Sequence, residues 1–141
     1  MKRLAIVSLV AMMLLAACKP EIKPAPQKPN NDPDCVMMGN SITELWHKGR
    51  EAFFVDNNIV SAGIGGHTSS DMRERFVSDV ISKNGKVVSI MAGINDIAQN
   101  DGYISNADIM NNIAEMAEMA KRAGSKVILC SVLPADKIGW N

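Results

Sequence analysis

A chain of 141 residues is the usual length of a single domain, and its 47% hydrophobic and 21% charged residues are ordinary for a globular protein. The 15 basic and 15 acidic residues balance, and aromatic residues make up only 4% of the chain. A nucleic-acid-binding surface needs a basic stripe with interleaved aromatic residues, so these numbers argue against that class of function.

The first 17 residues are predicted to be an export signal. Residues 2 and 3 are basic, and an apolar run over residues 4–17 follows them. Because that run is shorter than the ~20 residues that span a bilayer, a transmembrane anchor is the less favoured alternative. Residues 15–18 (LAAC) resemble a bacterial lipobox, whose cysteine receives lipid. We therefore expect an exported bacterial lipoprotein, periplasmic or at the cell surface, that is held to a membrane through acyl chains on Cys18.

Residues 18–34 are predicted to be an extended tether. They hold five of the six prolines of the chain and almost no large apolar side chain. Proline-rich chains favour extended backbone of ~3.1 Å per residue, so this tether would reach roughly 50 Å from a lipid surface. The chain is therefore divided into a signal peptide over residues 1–17, the tether, and a folded domain over residues 35–141.

The folded part alternates short apolar runs with amphipathic segments. Strands are predicted over residues 35–38, 58–61, 86–92 and 126–133, and helices over residues 42–54, 68–83 and 105–123. The second helix is indicated by Met72, Phe76 and Val80, which recur at every fourth residue. Thr68 and Asp71 form a capping pair at its start.

The last helix has the clearest pattern. Ile109, Ile113 and Met116 share one face with Ala120, and Gly124 is expected to end the helix. The third strand is nearly all apolar, as expected for a parallel strand that is covered on both faces. Alternating strands and helices with short connections predict an α/β fold with a parallel sheet and right-handed crossovers.

Glycine-rich polar segments follow the first three strands, at residues 39–41 (GNS), 63–66 (GIGG) and 93–96 (GIND). The carboxyl ends of parallel strands meet at one edge of a sheet, where open α/β sheets bind their ligands. Ser41 would lie at a helix N-terminus, which favours developing negative charge. Gly66 can bring a backbone N–H close to a ligand, and Asn95 offers an amide N–H. Together these donors would form an oxyanion hole beside a serine nucleophile.

Each of these features also has a purely structural interpretation. A serine after a strand is more often a helix cap than a nucleophile, and an Asn-Asp pair usually caps something. Glycines at strand ends are commonly turn formers. A dinucleotide-binding loop is disfavoured because Thr68 stands where the third glycine of that motif would be. The occurrence of all three segments at successive strand ends favours the catalytic interpretation.

Residues 39–43 (GNSIT), 62–68 (AGIGGHT) and 93–96 (GIND) resemble the first three sequence blocks of the SGNH (GDSL-type) hydrolases. The resemblance covers about residues 35–134. It is closest to bacterial members related to platelet-activating-factor acetylhydrolase and to carbohydrate acetyl esterases. It implies a flavodoxin-like three-layer α/β/α fold with a parallel sheet. It also implies that Ser41 is the nucleophile, and that the N–H groups of Ser41 and Gly66 form the oxyanion hole with the Asn95 amide.

Two features depart from the pattern of this family. Asn40 stands where the family usually has aspartate, and it can keep the hydrogen bonds of the turn without the charge. The family's general base is the histidine of a C-terminal Asp-x-x-His block, which the 141 residues do not contain. Of the two histidines, His47 is interpreted as a polar residue of the first helix and His67 as a substrate-binding residue. Because the fifth strand and last helix of the family fold would follow Pro134, we expect a fragment of an active esterase that is inactive as written.

The predicted reaction is the two-step hydrolysis of short acyl esters, with acetyl groups on carbohydrates as candidates, through an acyl-serine intermediate. Neither a metal nor a cofactor is expected, since no metal-ligand spacing occurs. The alternative is a non-catalytic surface lipoprotein that binds carbohydrate or peptide in the same crevice.

The two remaining cysteines are predicted to be buried free thiols. Cys35 and Cys130 both lie in apolar, strand-like runs, where an unpaired cysteine behaves as a small hydrophobic residue. Since an exported protein can form disulfides, a bond between them is the less favoured alternative.

Overall fold

The computed structural model of the protein describes residues 31–132, 138 and 139. The predicted signal peptide, the lipid attachment site at Cys18 and most of the predicted tether lie outside the described residues. The end of the predicted fourth strand, at residue 133, also lies outside them. Within the described part of the chain, no helix combines the length and the apolar character needed to cross a membrane.

A parallel sheet of four strands forms the centre of the described region. Its strands are β1 (Cys35–Gly39), β2 (Ile59–Gly63), β3 (Val87–Ile90) and β4 (Lys126–Leu129). They lie in the order β2-β1-β3-β4, which is the order of a flavodoxin-like sheet. The registers place Val36 of β1 opposite both Val60 and Val88. The predicted α/β fold and all four predicted strands are confirmed, although the ends of the strands differ.

Helices connect the strands and flank the sheet. They are α1 (Ser41–Gly49), α2 (Glu51–Asp56), α3 (Ser69–Glu74), α4 (Phe76–Asp79), α5 (Ile94–Ile97) and α6 (Asn106–Arg122), with a 3-10 turn over Ile81–Lys83. The short helix α5 was not predicted. The last predicted helix is confirmed as α6, and Gly124 follows its end with a φ of +91°, a conformation that favours glycine.

Two predicted helices are each divided into shorter segments. The helix predicted over residues 42–54 is interrupted at Arg50, directly after Gly49, which is a poor helix former. The helix predicted over residues 68–83 is interrupted at Arg75. Ser78 Oγ donates to the carbonyl of Arg75 at 2.9 Å, and such side-chain hydrogen bonds compete with regular helix geometry. The predicted cap is confirmed, because Thr68 and Asp71 form a reciprocal capping box at the start of α3.

The hydrophobic core lies on one face of the sheet, under α3, α4 and α6. Its buried side chains come from strands and helices alike: Val36, Met38, Val88 and Ile90 from the sheet, and Met72, Phe76, Val80, Met116, Ala117 and Ala120 from the helices. The apolar face predicted for the last helix is therefore the one that packs on the sheet. This packing anchors the strands whose carboxyl ends carry the three glycine-rich segments.

The opposite face of the sheet is only partly covered. Helices α1 and α2 contact β1 and β2, whereas Val87 and Ser89 of β3 are half-buried and Ile128 of β4 is 53% exposed. Among the described residues, one face of β3 is therefore buried and the other is half-buried. Cys35 and Cys130 are both unpaired, but Cys35 is half-buried and Cys130 is exposed. The predicted burial of Cys130 is wrong, because Cys130 follows the edge strand β4 and lies outside the core.

Candidate active site

Ser41 is the first residue of α1 and directly follows the turn that ends β1. The residue that caps the helix is Asn40, whose Oδ1 accepts a hydrogen bond from the N–H of Ile42 at 3.1 Å. Asn40 is buried, whereas Ser41 is half-exposed. The capping role, which was the structural interpretation of Ser41, therefore belongs to Asn40. This leaves the Ser41 hydroxyl at the positive end of α1.

Two glycines allow α1 to begin close to the sheet. A Cβ atom on Gly39 would overlap the side chain of Thr43, and one on Gly63 would overlap the backbone of Thr43 and Glu44. A side chain at either position would push the first turn of α1 away from the ends of β1 and β2. The same close approach brings Ser41 against the loop after β2, because a Cβ on Gly65 would lie 3.7 Å from the Cβ of Ser41.

The loop after β2 is held at three consecutive residues. The N–H of Gly65 donates to Oε2 of Glu44 at 2.7 Å, and the Asn100 amide donates to the carbonyl of Gly66 at 3.0 Å. The Asn95 amide donates to the carbonyl of His67 at 2.9 Å. Gly66 has a φ of +80°, in the left-handed region that residues with a Cβ rarely occupy. The backbone of this loop is therefore fixed by three side chains, one from α1 and two from the segment that begins with α5.

Asn95 reaches this loop from α5, which follows the carboxyl end of β3. Its side chain is buried, and its Nδ2 carries two hydrogens, of which one is used in the bond to His67. The second hydrogen is available to another acceptor. Gly93, which precedes α5, has a φ of +118° and starts this helix with a turn that favours glycine.

Asp96, the neighbour of Asn95, holds α5 to the start of α3. Its buried carboxylate accepts hydrogen bonds from the N–H of Ser69 at 3.0 and 2.9 Å and from the Ser69 hydroxyl at 2.6 Å. Asn112 of α6 donates to the same hydroxyl at 3.0 Å. Negative charge at a helix N-terminus is favourable, so this carboxylate is stabilised where it lies. Asp96 therefore anchors α5, and with it the neighbouring Asn95, to the start of α3.

Ser41, Gly66, Asn95 and Asn100 line one cleft of about 220 Å³. The three residues predicted for catalysis thus lie together at the carboxyl edge of the sheet. Asn100 was not predicted, since it lies in a polar stretch after Asn95 with no motif of its own. Within the described residues, no group of three or more His, Cys, Asp or Glu side chains could hold a metal ion.

His67 lies beside this cleft rather than among the residues that line it. Its Nδ1 accepts a hydrogen bond from Nε of Arg75 at 3.1 Å, and Arg75 Nη2 also donates to the carbonyl of Gly39 at 3.2 Å. An imidazole that accepts through Nδ1 carries its proton on Nε2, so it acts as a donor there. Nη1 of Arg75 pairs with Asp79 at 2.9 Å, and this hydrogen bond lowers the pKa of Asp79 below its ordinary value.

His47 is placed away from the cleft. It lies near the end of α1, and its ring packs edge-on against Phe54, with 5.0 Å between the ring centroids. The prediction that it belongs to the first helix is confirmed. Among the residues that line the cleft there is thus no histidine.

A three-layer α/β chain with a strand-end serine facing a glycine and an asparagine has the architecture of the SGNH-type hydrolases. Residues 37–141 match the family model described as the GDSL-like Lipase/Acylhydrolase family. The chain belongs to this family. The resemblance inferred from the three sequence blocks is thereby confirmed.

Individual relatives agree with this assignment. A crystal structure of an acylhydrolase from Bacteroides fragilis NCTC 9343 is 43% identical, with a TM-score of 0.75 over 84% of this chain and 56% of that one. A GDSL-like lipase from Bacteroides thetaiotaomicron VPI-5482 is 38% identical, also with a TM-score of 0.75, over 94% of this chain and 61% of that one. The Bacillus subtilis (strain 168) lipoprotein YqeF is 35% identical over 80 residues, which are 55% of this chain and 33% of that protein. The chain thus spans between a third and about three fifths of the length of these relatives.

Proposed function

We propose that this chain carries the nucleophile and the oxyanion hole of a serine ester hydrolase. The observation that carries the proposal is the shared cleft of Ser41, Gly66 and Asn95, which come from the ends of three different strands. Membership of the acylhydrolase family supports the same reaction class.

In the proposed reaction, Ser41 Oγ attacks the carbonyl carbon of an ester. The Oγ–C bond forms, the hydroxyl proton passes to a general base, and the carbonyl oxygen becomes an oxyanion. The N–H groups of Ser41 and Gly66 and the second N–H of the Asn95 amide stabilise that charge. Collapse of the intermediate breaks the ester C–O bond, and the alcohol leaves with the proton from the base. Water then attacks the acyl-serine by the same route and releases the acid.

We propose that neither of the two histidines, His47 and His67, is the general base. His47 packs against Phe54, and His67 is held by Arg75 with its proton on Nε2. The solved relatives are longer than this chain, which spans 56% and 61% of them, so they offer further residues for this role. A positioned base contributes about 10²–10⁴-fold to the rate, and we propose that the 141 residues alone are inactive for lack of it.

Short acyl esters are the proposed substrate class, with acetylated carbohydrates as candidates. Ligand pockets for larger molecules measure about 300–1,000 Å³. The cleft at Ser41 is smaller, at about 220 Å³. This volume supports a small acyl group beside the nucleophile. We propose that His67 contacts the substrate through its Nε2–H, because Arg75 occupies the other ring nitrogen.

Export and lipid attachment at Cys18 are proposed for the same protein. The apolar run over residues 4–17 and the lipobox-like residues 15–18 support a signal peptide that is cleaved before the cysteine. The lipoprotein name of the Bacillus subtilis relative agrees with that proposal. The domain would then act in the periplasm or at the cell surface, tethered to a membrane.

A fluorophosphonate probe applied to the full-length protein tests the proposed function. We expect phosphonylation of Ser41, with fluoride as the leaving group, and no labelling of Ser41→Ala. His67→Ala should label within about tenfold of the wild-type rate, because loss of a general base would cost about 10²–10⁴-fold. Absence of labelling in a folded full-length protein would favour a non-catalytic lipoprotein that binds its ligand equally well after Ser41→Ala.

A further inference from the structure

The oxyanion hole depends on a backbone N–H that lies between two glycines. The N–H of Gly66 belongs to the peptide group that joins Gly65 to Gly66. Glycine has the largest conformational freedom of all residues, so a peptide group between two glycines can rotate at low cost. A preorganised donor must instead point at the oxyanion before the reaction begins. Something outside this pair of residues has to fix the orientation of that peptide group.

We propose that Glu44 and Asn100 are positioning residues that hold the Gly65–Gly66 peptide group in the orientation needed for the oxyanion hole. The inference rests on the proposed function. Glu44 holds the N–H of Gly65 on one side of that peptide group, and Asn100 holds the carbonyl of Gly66 on the other. The two side chains therefore bracket the peptide group whose N–H is the donor.

Glu44 is itself oriented by a second hydrogen bond. Its Oε2 accepts from Gly65 at 2.7 Å, and its Oε1 accepts from Nζ of Lys48 at 2.5 Å, one helical turn further along α1. The hydrogen bond from Lys48, followed by that from Gly65, lowers the pKa of Glu44. Glu44 lies three residues after Ser41 on the same helix. Its bond to Gly65 consequently sets the loop relative to the nucleophile.

Asn100 contacts the two residues that supply the other donors beside Ser41, which are Gly66 and Asn95. Its side-chain amide donates to the carbonyl of Gly66, and its backbone N–H donates to the carbonyl of Asn95 at 3.1 Å. Asn100 also lines the cleft together with Ser41, Gly66 and Asn95. A displacement of Gly66 would therefore be transmitted to the segment that holds the Asn95 amide.

Four variants of the full-length protein test the inference. Asn100→Asp keeps the size of the side chain but removes the donor, and Asn100→Ala removes the side chain. Glu44→Ala removes the acceptor for Gly65, whereas Glu44→Gln retains a carbonyl oxygen and should restore most of the rate. We expect Asn100→Asp and Glu44→Ala to lower kcat and the rate of Ser41 labelling by about tenfold, a part of the ~10²–10³ attributed to a lost donor. KM should stay unchanged, because the hole acts on the transition state.

The matched controls are exposed residues of the same types outside the cleft. Asn111→Ala on α6 and Glu51→Ala on α2 should leave both rates unchanged. If Asn95→Ala slows the reaction but Asn100→Asp and Glu44→Ala react at the wild-type rate, the inference is overturned and the proposed function still stands. A purely structural role would lower the melting temperature without a selective change in kcat. The comparison of Glu44→Gln with Glu44→Ala distinguishes that role from the proposed positioning role even if Asn100→Ala does not fold. A wild-type protein that never labels at Ser41 would contradict the proposed function itself.

Discussion

At the scale of single residues, Asn40 combines a useful interaction with an unfavourable one. Its Oδ1 caps α1, but its Nδ2 is buried without a hydrogen-bond partner among the described residues. An unsatisfied buried donor costs about 1–3 kcal/mol. The aspartate that the SGNH first block usually has would present an oxygen in its place, so the asparagine keeps the cap while introducing a donor that the turn does not use.

We predict that Asn40→Asp makes the protein more stable, by up to about 1 kcal/mol. The substitution removes the unpaired donor and places a negative charge at the N-terminus of α1, which is worth about 0.3–1 kcal/mol. Burial of the carboxylate opposes this gain and limits it. Urea unfolding of the full-length protein and of the variant at neutral pH measures the difference. A variant clearly less stable than the wild type would mean that desolvation of the carboxylate outweighs removal of the donor.

Residues of the site differ in how far the sequence reveals them. The placement of Ser41, Gly66 and Asn95 in one cleft could be predicted because each follows a strand, and parallel strands bring their carboxyl ends together whatever the details of packing. Asn100 and Arg75 act through contacts with residues 34 and 36 positions away, and their immediate neighbours in the sequence form no motif. Their roles depend on how loops fold back on the sheet, which no local pattern encodes.

At the scale of elements, periodicity predicts which side of a segment is buried better than whether the segment is continuous. Met72, Phe76 and Val80 are all buried as predicted, yet the helix is interrupted at Arg75. A short break preserves the spacing of the apolar side chains, so it cannot be detected from the periodic pattern. Here the break places Arg75 where its guanidinium reaches both His67 and Gly39. The interruption therefore contributes to the site.

The ion pair between Arg75 and Asp79 is predicted to make this segment sensitive to acid. The hydrogen bond from Arg75 lowers the pKa of Asp79 below its ordinary value of 3.8, although burial opposes the shift. The ionised carboxylate thus stabilises the folded state fully above the ordinary pKa, and this contribution is lost as the pH falls through the lowered value. Because Asp79 is partly exposed, we expect at most about 1 kcal/mol.

Thermal unfolding of Asp79→Asn and of the wild type across pH tests this prediction. The variant should be less stable at neutral pH, and the difference should shrink as the pH drops below 3.8. Glu74→Gln, an exposed residue of the neighbouring helix α3, is the matched control and should show no such convergence. A stability difference that is constant with pH would show that Asp79 acts by packing rather than by its charge.

At the scale of the whole molecule, the two faces of the sheet are unequal. One face is covered by α3, α4 and α6, while α1 and α2 cover only the β1 and β2 side of the other. Ile128 and Leu129 of the edge strand β4 are 53% and 56% exposed. The fold class could be predicted from strand and helix alternation, but coverage of each face could not, because it depends on which helices lie over which strands.

We predict that residues 31–141, expressed alone, self-associate through this edge. An edge strand with unpaired backbone groups and exposed apolar side chains pairs readily with another chain. Ile128→Lys should reduce the association without lowering the melting temperature, because it replaces an exposed apolar side chain with a charged one that disfavours edge pairing. Val77→Lys on α4, where Val77 is 58% exposed, is the matched control and should leave the association unchanged. Sedimentation velocity at several concentrations measures the association. A monomer that unfolds cooperatively at every concentration would contradict the prediction, since the exposed strand would then be tolerated in isolation.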